Sequence, residues 1–135
     1  MNQPVMQGRP LRIFVVENHE DTLMALTQYL AGGGHTVRSA LSMEEALERL
    51  PSAEIDVLIS DIGLPDGDGW ELLRRAQLDA RTYTVAMSGF GHNADRGRSE
   101  AAGFRKHLIK PFSPEDLDDI LALAATELAQ RGNPA

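Results

Sequence analysis

The chain has 135 residues, 42% of them hydrophobic, 24% charged and 5% aromatic, with no cysteine and a formal net charge of −7. That length suits one domain with its own core, the lack of cysteine excludes disulfides, thiolate metal sites and thiol nucleophiles, and the acidic balance argues against nucleic acid as a direct partner, since phosphates demand a basic surface. No apolar run approaches the ~20 residues that cross a bilayer and the first ten residues lack a signal-peptide core, so the expectation is a cytoplasmic protein with no membrane partner.

Residues 1–10 hold two prolines and a glycine without periodicity and read as a disordered lead-in. Leu11–Val16 is a first strand, running into the polar cluster Glu17-Asn18-His19-Glu20-Asp21. Leu23, Leu26 and Leu30 then recur at helical spacing, with Asp21 or Thr22 available as N-cap and Gly32–Gly34 as a stop. His35–Ser39 is a second short strand. Ser42-Met43-Glu44-Glu45 is a capping box that opens a helix with Ala46, Leu47 and Leu50 on its buried face and Pro51 near its end. Residues 56–60, apolar or small between Asp56 and Asp61, are a third strand, buried on both faces, that delivers Asp61 into a turn containing Pro65, Gly67 and Gly69.

Trp70, Leu72, Leu73 and Ala76 mark a third helix, and Thr82–Ser88 a fourth strand rich in β-formers. Asn93–Ala102 carries few large apolar residues, so it is expected to be the most weakly anchored helix. Phe104–Ile109 is a fifth strand, followed by Lys110-Pro111-Phe112. Ser113 as N-cap and Pro114 at the first helical position start the last helix, whose core stripe is Leu117, Ile120, Leu121, Ala124 and Leu128. Residues 130–135 read as a frayed tail.

Strand and helix alternate through five βα units, and right-handed crossovers make a single doubly wound parallel sheet the economical α/β solution. The carboxyl ends of parallel strands share one edge, where ligands bind in such folds. Glu17, Asn18, Asp61, Ser88 and Lys110 therefore converge. A carboxylate nucleophile, oxygen ligands for a hard divalent cation and two donors for phosphoryl oxygens suit phosphoryl transfer. Plainer roles compete at some positions: Asp21 fits a helix cap, Trp70 a packing residue, and Arg96 with Arg98 a solvated basic spot or a dock for an acidic partner. His19, His35 and His92 match no metal-ligand spacing and read as surface residues.

Taken together and in order, Ile13-Phe-Val-Val-Glu17, Asp61-Ile-Gly-Leu-Pro-Asp-Gly-Asp-Gly69, Met87-Ser88-Gly89 and Lys110-Pro-Phe112 make a specific pattern. Over residues 11–129 the chain resembles the receiver domain of two-component response regulators, a flavodoxin-like (βα)5 fold with strand order 2-1-3-4-5. Ala101-Ala-Gly-Phe104 and His107-Leu-Ile-Lys-Pro111 look most like receivers attached to hybrid histidine kinases. The resemblance implies that Asp61 accepts a phosphoryl group from the phosphohistidine of a histidine kinase or phosphotransfer protein. It implies Mg²⁺ held by Glu17, Asn18, Asp61 and the Gly63 backbone carbonyl, with Lys110 pairing with Asp61 and then with a phosphoryl oxygen. Ser88 would move to the phosphoryl group, with His107 behind it as the switch residue, the Lys110–Pro111 peptide would be cis, and Gly63 and Phe90 would tune dephosphorylation. Such a domain catalyses only its own phosphoryl transfer and dephosphorylation. Output would leave through the face of helix four, strand five and helix five toward a downstream protein target, with homodimerisation left open.

Two departures from the family stand out. Asn18 replaces the usual second carboxylate of the acidic corner, which predicts weaker Mg²⁺ binding. His107 stands where Tyr or Phe is usual, and an imidazole that fills an inward pocket when neutral but resists burial when charged predicts a pH-sensitive switch. Asn18 also motivates the alternative of a degenerate receiver that binds partners without phosphorylation. An unrelated enzyme on the same sheet is disfavoured, because an acidic loop after strand one is no cradle for a flavin phosphate and no Asp-x-Asp follows that strand as in haloacid-dehalogenase-type phosphatases. The Met1 start and polar tail favour a stand-alone regulator over a piece of a hybrid kinase.

Overall fold

The computed structural model of the protein describes residues 10–89 and 93–131. Five parallel strands, β1 (Arg12–Val16), β2 (Thr36–Ala40), β3 (Val57–Asp61), β4 (Tyr83–Ser88) and β5 (Lys106–Ile109), form one sheet in the order β2-β1-β3-β4-β5. Five helices connect or follow them: α1 (Glu20–Gly32), α2 (Met43–Arg49), α3 (Gly69–Ala76), α4 (Asn93–Ala102) and α5 (Pro114–Arg131). This is the expected order, and the Lys110–Pro111 peptide is cis, as the resemblance implies.

Strand residues alternate between two helical layers. Ile13, Val15, Val57, Ile59, Val85 and Met87 face α1 and α5, where Leu26, Leu30, Leu117, Leu121 and Ala124 close the core. Phe14, Val16 and Leu58 point the other way, onto Met43, Ala46 and Leu50 around α2 and Leu72 of α3. Because β3 and β4 are buried on both faces, they appear in the sequence as unbroken apolar runs instead of alternating ones.

Helix ends refine the expectations. Ser42 Oγ accepts the Glu45 N–H at 3.1 Å, while the Glu45 carboxylate reaches one residue further back than a standard capping box and accepts the Leu41 N–H at 2.8 Å. Ser113 Oγ accepts the Asp116 N–H at 3.1 Å, and α5 continues to Arg131, into the stretch expected to fray. The expected cap of α1 is corrected: the N-cap position is His19, without a side-chain cap, and Asp21 lies inside the first turn. There Glu20 and Asp21 still oppose the positive end of the helix dipole. A short antiparallel ladder, Gly63–Leu64 with Gly67–Asp68, folds the segment after Asp61 into a tight hairpin that periodicity cannot reveal at two residues per strand.

In α4, Ser99 is the sole buried side chain among those described, in line with a weakly anchored helix. Among the described residues no helix is long and apolar enough to cross a membrane.

Candidate functional site

Parallel strand ends assemble the site. Glu17 directly follows β1, Asp61 ends β3 and Ser88 ends β4; all three are buried. Lys110 follows β5 and sends its Nζ to 2.5 Å from Glu17 Oε1 and 2.7 Å from Asp61 Oδ1. One ammonium thus serves two carboxylates from two other strands. Asn18 is half-buried at the next position along from Glu17.

The electrostatics follow from burial and from this shortage of positive charge. Burial pushes the Asp61 carboxyl up, Lys110 partly offsets it and the neighbouring Glu17 adds to it, leaving Asp61 at about 6. Burial also acts on Glu17, but Lys110 and the His19 N–H outweigh it and hold that carboxyl below its ordinary value. Lys110 is raised, since its two carboxylate partners overcome the cost of burying its charge. The site therefore carries negative charge that the protein itself leaves undercompensated.

That charge and the donor set fit a hard divalent cation. The oxygens of Glu17, Asp61, Asn18 and the Gly63 carbonyl are the ligand type Mg²⁺ takes. Among the described residues no group of three or more His, Cys, Asp or Glu is placed to hold a metal. The turn itself is built closely onto Asp61: a Cβ at Gly69 would stand 2.6 Å from the Asp61 carbonyl oxygen, so only glycine fits there. Gly63, by contrast, is exposed with open space around it.

Ser88 Oγ lies 2.6 Å from His107 Nε2, so these two predicted residues meet each other. Phe90 and His92 lie outside the described residues. Three residues make contacts that were not legible in the sequence. His19 brings both its backbone N–H (3.0 Å) and its ring Nδ1 (3.1 Å) to Glu17 Oε2, so a residue read as surface braces the acidic corner. Its only sequence signal is its place two residues after Glu17. His35 is also more than a surface residue: its Nδ1 accepts the Leu11 N–H at 3.0 Å. Trp70 donates its indole N–H to Ser99 Oγ at 3.0 Å and carries the Arg98 guanidinium 3.9 Å from its ring centroid, which ties α3 to α4. A cleft of about 740 Å³ lined in part by Arg12, Glu54, Asp56, Asp79 and Arg81 includes none of the predicted site residues.

Comparison with known proteins agrees with this geometry. The family model described as response regulator receiver domain matches residues 13–122. The transcriptional regulatory protein TrcR of Mycobacterium tuberculosis is 32% identical over 111 residues, covering 82% of this chain and 43% of that protein. The sensory/regulatory protein RpfC of Xanthomonas campestris is 30% identical over 132 residues, 94% of this chain and 18% of that protein. The crystal structure of a CheY-like response regulator receiver domain protein from Methanospirillum hungatei superposes with a TM-score of 0.85 at 26% identity, covering 91% of this chain and 99% of that one. The chain spans about half the length of the first curated relatives it matches.

Proposed function

Because this chain belongs to the receiver domain family of response regulators, we propose that Asp61 is its phosphoacceptor, taking a phosphoryl group from a phosphohistidine on a histidine kinase or phosphotransfer protein. The observation that carries this reading is the single ammonium of Lys110 held between Asp61 and Glu17 at a strand-end edge. An Asp61 oxygen forms the new P–O bond as the P–N bond to the donor imidazole breaks, and the imidazole, already protonated on its other nitrogen, takes the bonding pair and leaves as the neutral ring. Lys110 keeps Asp61 oriented beforehand and then faces the oxygens of the transferred group.

Glu17, Asn18, Asp61 and the Gly63 carbonyl would hold Mg²⁺, which supplies charge neutralisation for the phosphoryl oxygens. With an amide at position 18, one formal charge is missing and binding is weaker than with two adjacent carboxylates. Ser88 is the hydroxyl that turns to the phosphoryl group, and to do so it leaves His107. Residues 63 and 90, flanking the site in sequence, set the dephosphorylation rate. The switch is read out by a downstream protein on the α4–β5–α5 face, where α4 is the lightly anchored element. Likeness to RpfC and the wording of Ala101–Phe104 and His107–Pro111 support kinship with receivers of hybrid kinases, acting in the cytoplasm. No observation favours a phosphorylation-independent module, since the Glu17–Lys110–Asp61 constellation is intact.

The test is incubation with acetyl phosphate and Mg²⁺ followed by intact-mass measurement. Wild type should gain one phosphoryl group and Asp61→Ala none; equal labelling of the two proteins, or none of either, refutes the reading.

A further inference from the structure

The hairpin after Asp61 is fastened to α2 by one side chain. Asp66 Oδ1 accepts the Met43 N–H at 2.8 Å, and Oδ2 accepts the Glu44 N–H at 2.9 Å. Both carboxylate oxygens are thus engaged by the first residues of a helix more than twenty positions earlier in the chain. Ser42 already caps that helix through the Glu45 N–H, so Asp66 satisfies N–H groups that Ser42 leaves over. Desolvation opposes the ionised form of Asp66, but these two N–H groups outweigh it and hold the carboxyl below its ordinary value.

Packing reinforces the attachment. A Cβ at Gly67 would stand 2.6 Å from Met43 Cε, so α2 lies directly on the hairpin. Within the hairpin Gly63 pairs with Asp68 and Leu64 with Gly67, leaving Pro65 and Asp66 as the tip. The Gly69 N–H closes the base onto the Ile62 carbonyl at 2.7 Å. An isolated two-stranded ribbon is marginal in water. This one keeps its shape because its tip is anchored to a packed helix.

We propose that Asp66 is a positioning residue for the chemistry at Asp61: by clamping the hairpin tip to α2 it fixes the Gly63 carbonyl, the one backbone donor of the cation site. The inference rests on the reading of Asp61 as a Mg²⁺-dependent phosphoacceptor. It matters more here than in a site with two adjacent carboxylates, because Asn18 supplies an amide dipole where a full charge would tolerate a looser geometry. A neutral ligand contributes only if it is already in place.

Mg²⁺ affinity of the full chain, measured calorimetrically for wild type, Asp66→Asn, Asp66→Glu and Ser42→Ala, separates the possibilities. Asp66→Glu keeps the charge but not the two-pronged geometry, and Ser42→Ala weakens α2 without touching the hairpin. Both Asp66 variants should lose about tenfold in Mg²⁺ affinity, with faster amide exchange at Gly63 and Leu64, and the loss should persist in about 1 M salt, where a long-range charge effect is screened. Ser42→Ala should bind Mg²⁺ as wild type does. Wild-type affinity in Asp66→Asn overturns the proposal. So does a loss confined to Asp66→Asn that vanishes in salt, which would make Asp66 a charge and not a clamp, or an equal loss in Ser42→Ala, which would make it a helix cap alone. A wild-type chain that neither binds Mg²⁺ nor takes up phosphoryl overturns instead the reading of Asp61 beneath it.

Discussion

Ser88 Oγ is hydrogen-bonded to His107 Nε2 across 2.6 Å, holding the hydroxyl at the end of β4 against β5. A phenyl ring at position 107 could not form this bond. If Ser88 donates to a phosphoryl oxygen as proposed, breaking it is a cost that phosphorylation must meet first. A net hydrogen bond of about 0.5–1.5 kcal/mol corresponds to about two- to twelvefold in an equilibrium. His107→Phe should therefore raise the steady-state phosphorylated fraction under limiting acetyl phosphate by about that factor, and should do nothing in a Ser88→Ala background. Mass spectrometry of the two pairs checks it, and an unchanged or lower fraction in His107→Phe contradicts it.

Asp61 makes metal-free stability fall as pH rises. Its folded value of about 6 lies above the ordinary 3.8 because of burial and the nearby Glu17, with Lys110 only partly offsetting them. Between those two values the folded state binds the extra proton, so stability declines through that window and the full penalty stands above about pH 6. In EDTA at pH 7.5, Asp61→Asn should be more stable than wild type by about 1–3 kcal/mol, and the gain should shrink toward zero near pH 4. Mg²⁺ should stabilise wild type and leave Asp61→Asn nearly unmoved. Urea midpoints across pH, with and without Mg²⁺, measure all three; a gain that grows on acidification would mean that the sign is wrong.

Asp61, Ser88 and Lys110 were legible in the sequence because each sits at or beside the end of an apolar strand run, and parallel topology alone brings such ends together. The capping box of α2 and the Ser113 cap of α5 were legible because they are local. What escaped was long-range or depended on how the chain leaves a strand. Asp66 caps a helix far upstream. Trp70 reaches Ser99. His19, not Asp21, stands at the start of α1, where its N–H is taken by the Glu17 carboxylate. None of these contacts leaves a period or motif. The fold is written in periodicity, whereas the bracing of the site is written in single polar residues whose partners only the folded chain reveals.

Asn18→Asp tests the amide corner. An added carboxylate beside Glu17 and Asp61 restores one formal charge to the cation site, and each tenfold in affinity corresponds to about 1.4 kcal/mol. Mg²⁺ affinity followed by Trp70 fluorescence should rise by about tenfold or more. The same change should lower stability in EDTA, since a third carboxylate would then share the one ammonium of Lys110. If affinity does not increase, the amide is as good a ligand here as a carboxylate, and the proposed weakening by Asn18 is refuted.

His35 gives stability the opposite slope. Its Nδ1 accepts the Leu11 N–H at 3.0 Å, which requires the neutral ring. Burial holds its pKa below the ordinary 6.5, with Asp118 pulling weakly the other way. Just below that ordinary value the unfolded chain takes up a proton that the folded chain refuses, so this contribution is complete above about pH 6.5 and is lost as the pH falls through the window beneath it. Because Asp61 opposes the trend, the measurement belongs in the Asp61→Asn background. There the urea midpoint should drop between pH 7.5 and pH 5.5. Adding His35→Asn, whose Oδ1 stands as far from Cβ as Nδ1 and so still accepts the Leu11 N–H but does not titrate, should flatten that drop, whereas an equal drop in both proteins would assign the slope to another group.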